Sequence, residues 1–115
     1  MCGILGFTGN KKIVGDLMYG LLTLQHRGQD SAGIVTFDKM FHTKKGKGLV
    51  SEVFNEKHYD RLRGNIGIGH VRYTTHGSNT LENAQPITTN YPYGLAMVHN
   101  GNTVSYTHLT LPTKA

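Results

Sequence analysis

The sequence has a single cysteine and no tryptophan among its 115 residues. One thiol excludes an intrachain disulfide and argues against a secreted, disulfide-stapled scaffold. No apolar run approaches the roughly 20 residues a membrane-spanning helix needs, and the N-terminus lacks a signal-peptide pattern. A reducing, cytoplasmic setting with no membrane partner is therefore expected. Acidic residues are few, 7 Asp and Glu against 12 Lys and Arg, for a net charge of +5. That excess could point to a polyanion, yet the basic residues are scattered apart from Lys39, Lys44, Lys45 and Lys47. No basic stripe is interleaved with aromatics, so a nucleic-acid partner is not expected. What is abundant is glycine, 15 residues, which points to turns and close backbone approaches. The length fits one domain at most, with a modest core from 37% hydrophobic residues.

Residues 3–8 (GILGFT) read as a short strand ended by Gly9-Asn10. Val14, Leu17, Met18, Leu21, Leu22 and Gln25 then recur at three and four, the spacing of a helix, with Asn10 as its expected N-cap and a stop before Gly28. Residues 32–37 read as a strand, Asp38-Lys39 as a tight turn, 40–43 as the returning strand and 44–48 as a loop. A helical stretch is expected over 49–62, in two pieces with Asn55 capping the second. Residues 65–73 (NIGIGHVRY) form a glycine-punctuated strand, and 74–86 a long loop of the kind usually reserved for function. Residues 94–99 form a last strand before the turn-forming Asn100-Gly101. This order predicts an α+β layered fold with antiparallel sheets.

Chemistry converges on the lone cysteine. Cys2 stands one residue from the start, where removal of Met1 would leave it with both a thiol and a free α-amino group. The thiolate is the attacking form, and thiols ordinarily titrate near ~8.5. An α-amino group, titrating near ~7.7–8, serves as an adjacent base. A nucleophile also needs a substrate clamp and oxyanion donors. Three segments supply them: LQHRGQDSAG carries Arg27, GHVRY carries Arg72, and HNGN carries Asn100 and Gly101. An arginine fork suits a carboxylate, and an amide beside a backbone N–H suits an oxyanion. His26, His70, His76 and His99 lack a compact ligand spacing, so no metal site is expected.

With MCGI, LQHRGQDSAG, GNIGIGHVRYTT, AQP and HNGN all in order, residues 1–103 resemble the first part of a class II (N-terminal-nucleophile) glutamine amidotransferase domain. The resemblance implies a four-layer α/β/β/α sandwich with antiparallel sheets, truncated to roughly its first half. It implies that Cys2 attacks the side-chain amide of glutamine, that Asn100 and Gly101 form the oxyanion hole, and that Arg72 grips the glutamine α-carboxylate. Arg27, Thr75 and His76 match positions that line or support this pocket. Gln29, Val71 and Tyr73 favour the purine-synthesis branch, whose ammonia passes to a phosphoribosyltransferase domain acting on phosphoribosyl diphosphate to form 5-phosphoribosylamine. That absent domain would use magnesium; no cofactor is expected in these residues, and the full-length enzyme is expected to be a homo-oligomer. Thr75-His76-Gly77 echoes the glucosamine-6-phosphate synthase branch, which stands as the alternative acceptor chemistry, with an inactive truncated fragment as a second alternative.

From Thr103 onward the sequence departs from the family pattern. Residues 104–115 resemble translated sequencing-adapter DNA and are expected to be a non-native tail. The aspartate that in the family binds the glutamine α-amino group lies beyond Asn102 and is expected to be absent here. The chain is thus expected to expose unfinished sheet edges and apolar faces, to be poorly soluble, and to show little glutaminase activity alone.

Overall fold

A computed structural model describes residues 2–73 and 81–100 of the chain. The expected residues 104–115 tail, Thr75, His76 and Gly101 lie outside the described residues. Strand β1 spans Gly3–Thr8, helix α1 Val14–Leu24, and β2 (Ser31–Asp38) and β3 (Met40–Lys47) form a hairpin. Helices α2 (Val50–Val53) and α3 (Glu56–Arg61) lead to β4 (Ile66–Arg72), and β5 (Ile87–Thr89) and β6 (Leu95–Met97) follow. The first four strands form one antiparallel sheet in the order β1-β4-β2-β3, and β5 and β6 pair separately. This is the α+β fold with antiparallel sheets that the motif order implied.

Alternation along each strand sorts the large sheet into two faces. Gly67, Gly69 and Val71 of β4 look toward α1, where the glycines leave room for Leu17 and Leu21. Ala32 and Ile34 of β2 pair with Val71 and Gly69 and join the same cluster of Ile13, Val14, Leu17, Leu21, Val50, Val53, Phe54 and Leu62. Leu17, Leu21 and Ile34 are fully buried there. Ile4, Val35, Phe37, Ile66, Ile68, His70 and Arg72 point the other way, on the face where Gln85, Pro86 and His99 approach the sheet.

Three boundaries differ from the sequence expectation. The N-cap of α1 is Ile13, whose carbonyl accepts from Leu17 N–H, not Asn10. Lys11 and Lys12 therefore precede the helix. β3 runs on through residues 44–47, because its pairing with Ser31–Ile34 supplies the ladder that a glycine- and lysine-rich stretch does not advertise. β5 falls where no strand was expected; its three residues are held by β6 rather than by their own pattern. The rest follows the reading closely. Lys39 makes the β2–β3 turn at φ 65°, and Asn55 caps α3 by accepting from Lys57 N–H at 3.1 Å.

Candidate active site

Cys2 is 7% exposed and lies just before β1. β1 pairs with β4 as Gly3 opposite Val71, so one further step along that register sets Cys2 opposite Arg72. On the other side of β4, Arg72 is opposite Ser31 of β2. Cys2, Arg72 and Ser31 thus form a row across the end of the sheet, on the face turned away from α1. The next row along is Ile4, His70 and Gly33.

Two hydrogen bonds fix the backbone of the cysteine. Its N–H donates to Asn100 Oδ1 at 3.1 Å, and its carbonyl accepts from Arg27 Nε at 2.8 Å. Asn100, 98 residues away in sequence, is therefore brought to the very nitrogen that removal of Met1 would turn into an α-amine. With Oδ1 engaged, the Asn100 amide turns its NH2 group the other way, as a donor. Arg27 acts on the nucleophile through the main chain.

The loop carrying Arg27 is itself stitched to β4. Asp30 N–H donates to the Arg72 carbonyl at 3.0 Å. Gly28 lies so close to β4 that a Cβ there would fall 2.6 Å from the Arg72 carbonyl carbon, so only glycine permits the approach. Gln25 Oε1 accepts from Val50 N–H at 2.6 Å, tying the other end of the loop to α2. Arg72, the last residue of β4, is 9% exposed. The Ser31 side chain beside it is fully buried, and its Oγ has no hydrogen-bond partner among the described residues.

Asn100 is held by residues the sequence reading did not single out for this role. His70 Nε2 donates to the His99 carbonyl at 3.0 Å, the carbonyl acceptor fixing the proton on that nitrogen. His99 N–H donates to Gln85 Oε1 at 2.8 Å. Both backbone groups of the residue preceding Asn100 are thus satisfied by buried side chains. The segment carrying Gln85 is anchored in turn, since Lys45 Nζ donates to the Ala84 and Pro86 carbonyls at 2.9 and 3.1 Å. Gly33 faces it, and any side chain there would strike the Gln85 carbonyl. Burial pushes the His70 imidazole down to about 4, against the opposing pull of its bond to His99, and burial also lowers His99 and Lys45. His70 is therefore neutral near pH 7, with its one proton on Nε2 toward the His99 carbonyl. The signal for these residues was in the chain: His70 stands in GHVRY and Gln85 in AQP. Their task was illegible because it is main-chain support across the sheet.

The structure thus brings Cys2, Arg27, Arg72 and Asn100 to one end of one sheet face. No helix of the described residues is long and apolar enough to cross a membrane.

No family model matches the chain. Individual proteins do. The chain is 51% identical to the amidophosphoribosyltransferase of Escherichia coli K12 over 104 residues, 89% of this chain and 21% of that protein. It is 47% identical to the Archaeoglobus fulgidus amidophosphoribosyltransferase over 112 residues, 95% of this chain and 24% of that protein. Among solved structures it superposes on the glutamine phosphoribosylpyrophosphate amidotransferase from B. subtilis, complexed with ADP and GMP, with a TM-score of 0.77 at 38% identity. A structure described as the allosteric regulatory enzyme of purine biosynthesis gives a TM-score of 0.81, also at 38% identity. Each superposition covers 99% of this chain and 25% of the other. The chain therefore spans about a fifth to a quarter of the proteins it matches. In sequence and in fold it is similar to the N-terminal part of the amidophosphoribosyltransferases, within the class II glutamine amidotransferases.

Proposed function

We propose that this chain carries the nucleophile and part of the glutamine pocket of an amidophosphoribosyltransferase. The observation that carries the reading is the hydrogen bond between Cys2 N and Asn100 Oδ1. It joins the first and last of the ordered motifs at the reacting end of the chain. In this reading Met1 is removed and the α-amine of Cys2 takes the thiol proton. The sulfur attacks the glutamine side-chain carbonyl, and the carbonyl oxygen becomes an oxyanion facing Asn100 Nδ2 and the Gly101 N–H. Collapse of that intermediate breaks the C–N bond. The protonated amine returns its proton to the leaving nitrogen, which departs as ammonia. Water then hydrolyses the γ-glutamyl thioester to glutamate and restores the thiol.

Arg72 receives the glutamine α-carboxylate at the end of β4, and its burial strengthens that contact by excluding water. Arg27 holds the Cys2 carbonyl, so the sulfur is presented from a fixed main chain. Thr75 and His76 complete the pocket wall in this proposal. The ammonia goes to a phosphoribosyltransferase domain that converts phosphoribosyl diphosphate to 5-phosphoribosylamine, the first committed step of de novo purine synthesis. Magnesium, homo-oligomeric assembly and a cytoplasmic location belong to that whole enzyme. Residues 104–115 are a non-native tail in this account. The glucosamine-6-phosphate synthase-like alternative is not favoured, because the relatives at 46–51% identity are amidophosphoribosyltransferases.

The test is covalent labelling with diazo-oxonorleucine, a glutamine-analogue electrophile, read by intact mass and peptide mapping. One adduct on Cys2, absent from Cys2→Ala, is the expected result. An unlabelled chain that is folded by circular dichroism would mark an inert fragment instead.

A further inference from the structure

A second cluster of nitrogen-bearing side chains lies between β3 and α3, apart from the row that holds Cys2. A cavity of about 200 Å³ opens there, lined by His42 and Lys44 of β3, His58 and Arg61 of α3, and the apolar Phe41 and Leu62. Among the described residues, no carboxylate lines it. Neither Lys44 nor Arg61 forms an ion pair among the described residues, where the pair that does form is Lys12 with Asp60 at 3.9 Å. Among the described residues, two cations and two imidazoles therefore converge without a counter-charge.

Each imidazole has a nitrogen to offer. His58 is 4% exposed, and its Nδ1 accepts from Asn55 N–H at 3.1 Å, which leaves the proton on Nε2. His42 Nε2 is buried and has no partner among the described residues. Burial first, then the charges of Lys44, Lys57 and Arg61, hold the His58 imidazole below its ordinary value. Buried polar atoms are ordinarily satisfied, and converging like charges are unfavourable unless something offsets them.

We propose that this cavity is a binding site for a small oxyanion of the phosphate class, supplied as free phosphate or as the phosphate group of a phosphomonoester. Such an anion accepts from the Arg61 fork, the Lys44 ammonium and the His58 Nε2–H together, and it satisfies His42. An uncharged apolar ligand would leave the four nitrogen groups unmet. A metal cation would be repelled by Lys44 and Arg61. The site does not depend on the chemistry proposed at Cys2, so either assignment can fail without the other.

The experiment is a titration of the isotopically labelled 115-residue chain with inorganic phosphate at constant ionic strength, following the histidine ring signals by NMR. Saturable shifts of His42 and His58, without comparable shifts of His26, are expected. The double variant Lys44→Gln/Arg61→Gln should bind about tenfold more weakly or worse, losing two charge-assisted contacts. Lys57→Gln, which does not line the cavity, should bind within about twofold of the parent. Adenosine monophosphate shifting the same signals at lower concentration than phosphate identifies a phosphomonoester as the source. Equal or weaker binding identifies the free ion. Chloride producing the same shifts, or a double variant that binds as well as the parent, overturns the proposal. Because the double variant could lose its fold, the thermal midpoint of the parent is measured as well. It must rise in phosphate relative to chloride of equal ionic strength, and no rise overturns the proposal too.

Discussion

The two faces of the large sheet do different work. The face under α1 is packed: Leu17, Leu21, Ile34 and Val71 are fully buried, and glycines at 67 and 69 let the helix side chains press against the strands. The opposite face holds the row of Cys2, Arg72 and Ser31 at one end and is open at the other. There Phe37 and Ile66 remain 46–48% exposed. A face closed by its own helices gives stability, while a face left for polar groups and a second sheet gives a site. Substitutions should separate these roles.

The largest effect is expected under the helix. Leu17→Ala should cost roughly 2–5 kcal/mol in urea unfolding, from lost transfer energy plus a cavity. Ile66→Ala, on the open face, should cost well below that. Equal losses would erase the distinction between the faces. At the site, Asn100→Ala should slow diazo-oxonorleucine labelling by about 10²–10³, the usual result of deleting one oxyanion donor. Arg72→Gln should slow it by about 10–10², as loss of a charge-assisted contact implies, with the deficit appearing in reagent affinity. Either variant labelling at the parent rate would remove that residue from the pocket.

A smaller effect separates the faces by pH. His70 is held neutral in the fold, with a value of about 4 against an ordinary value near ~6.5. Above about pH 6.5 folded and unfolded chains bind the same number of protons here, so no stability change is expected. Between about 6.5 and 4 only the unfolded ring holds a proton, and stability falls as pH falls. Below about 4 the loss levels off. His70→Gln, which keeps an N–H donor with similar reach, should reduce this slope to the part that buried His58 and His99 contribute, while retaining labelling at Cys2. His70→Leu should reduce the slope and slow labelling, because the His99 carbonyl loses its donor. A variant with the parent's slope would show that His70 does not cause it.

The packed face was largely legible in the sequence, because its residues obey a period. Val14, Leu17, Met18 and Leu21 announced α1, and Asn55 announced the cap of α3. The open face was legible only through motifs. Cys2, Arg27, Arg72 and Asn100 were singled out from short chemical patterns, and the sheet register then placed them together. The contributions of His70, Gln85 and Lys45 were not legible, since each works by bonding main-chain atoms 14 to 41 residues away. Asn10 looked like a cap by residue type, but the chain needs three more residues to bring Ile13 onto the core. The extension of β3 was hidden for a related reason, because its ladder is written in its partner β2.

The central claim is that Cys2 carries its own base, with its nitrogen held by Asn100. The most direct measurement labels a preparation containing both Met1-bearing and Met1-free chains with diazo-oxonorleucine, then resolves the two by intact mass. The account predicts an adduct on Cys2 of the Met1-free chains alone, since only in them is the Cys2 nitrogen a free α-amine rather than a peptide amide. Equal labelling of chains that retain Met1 would contradict it.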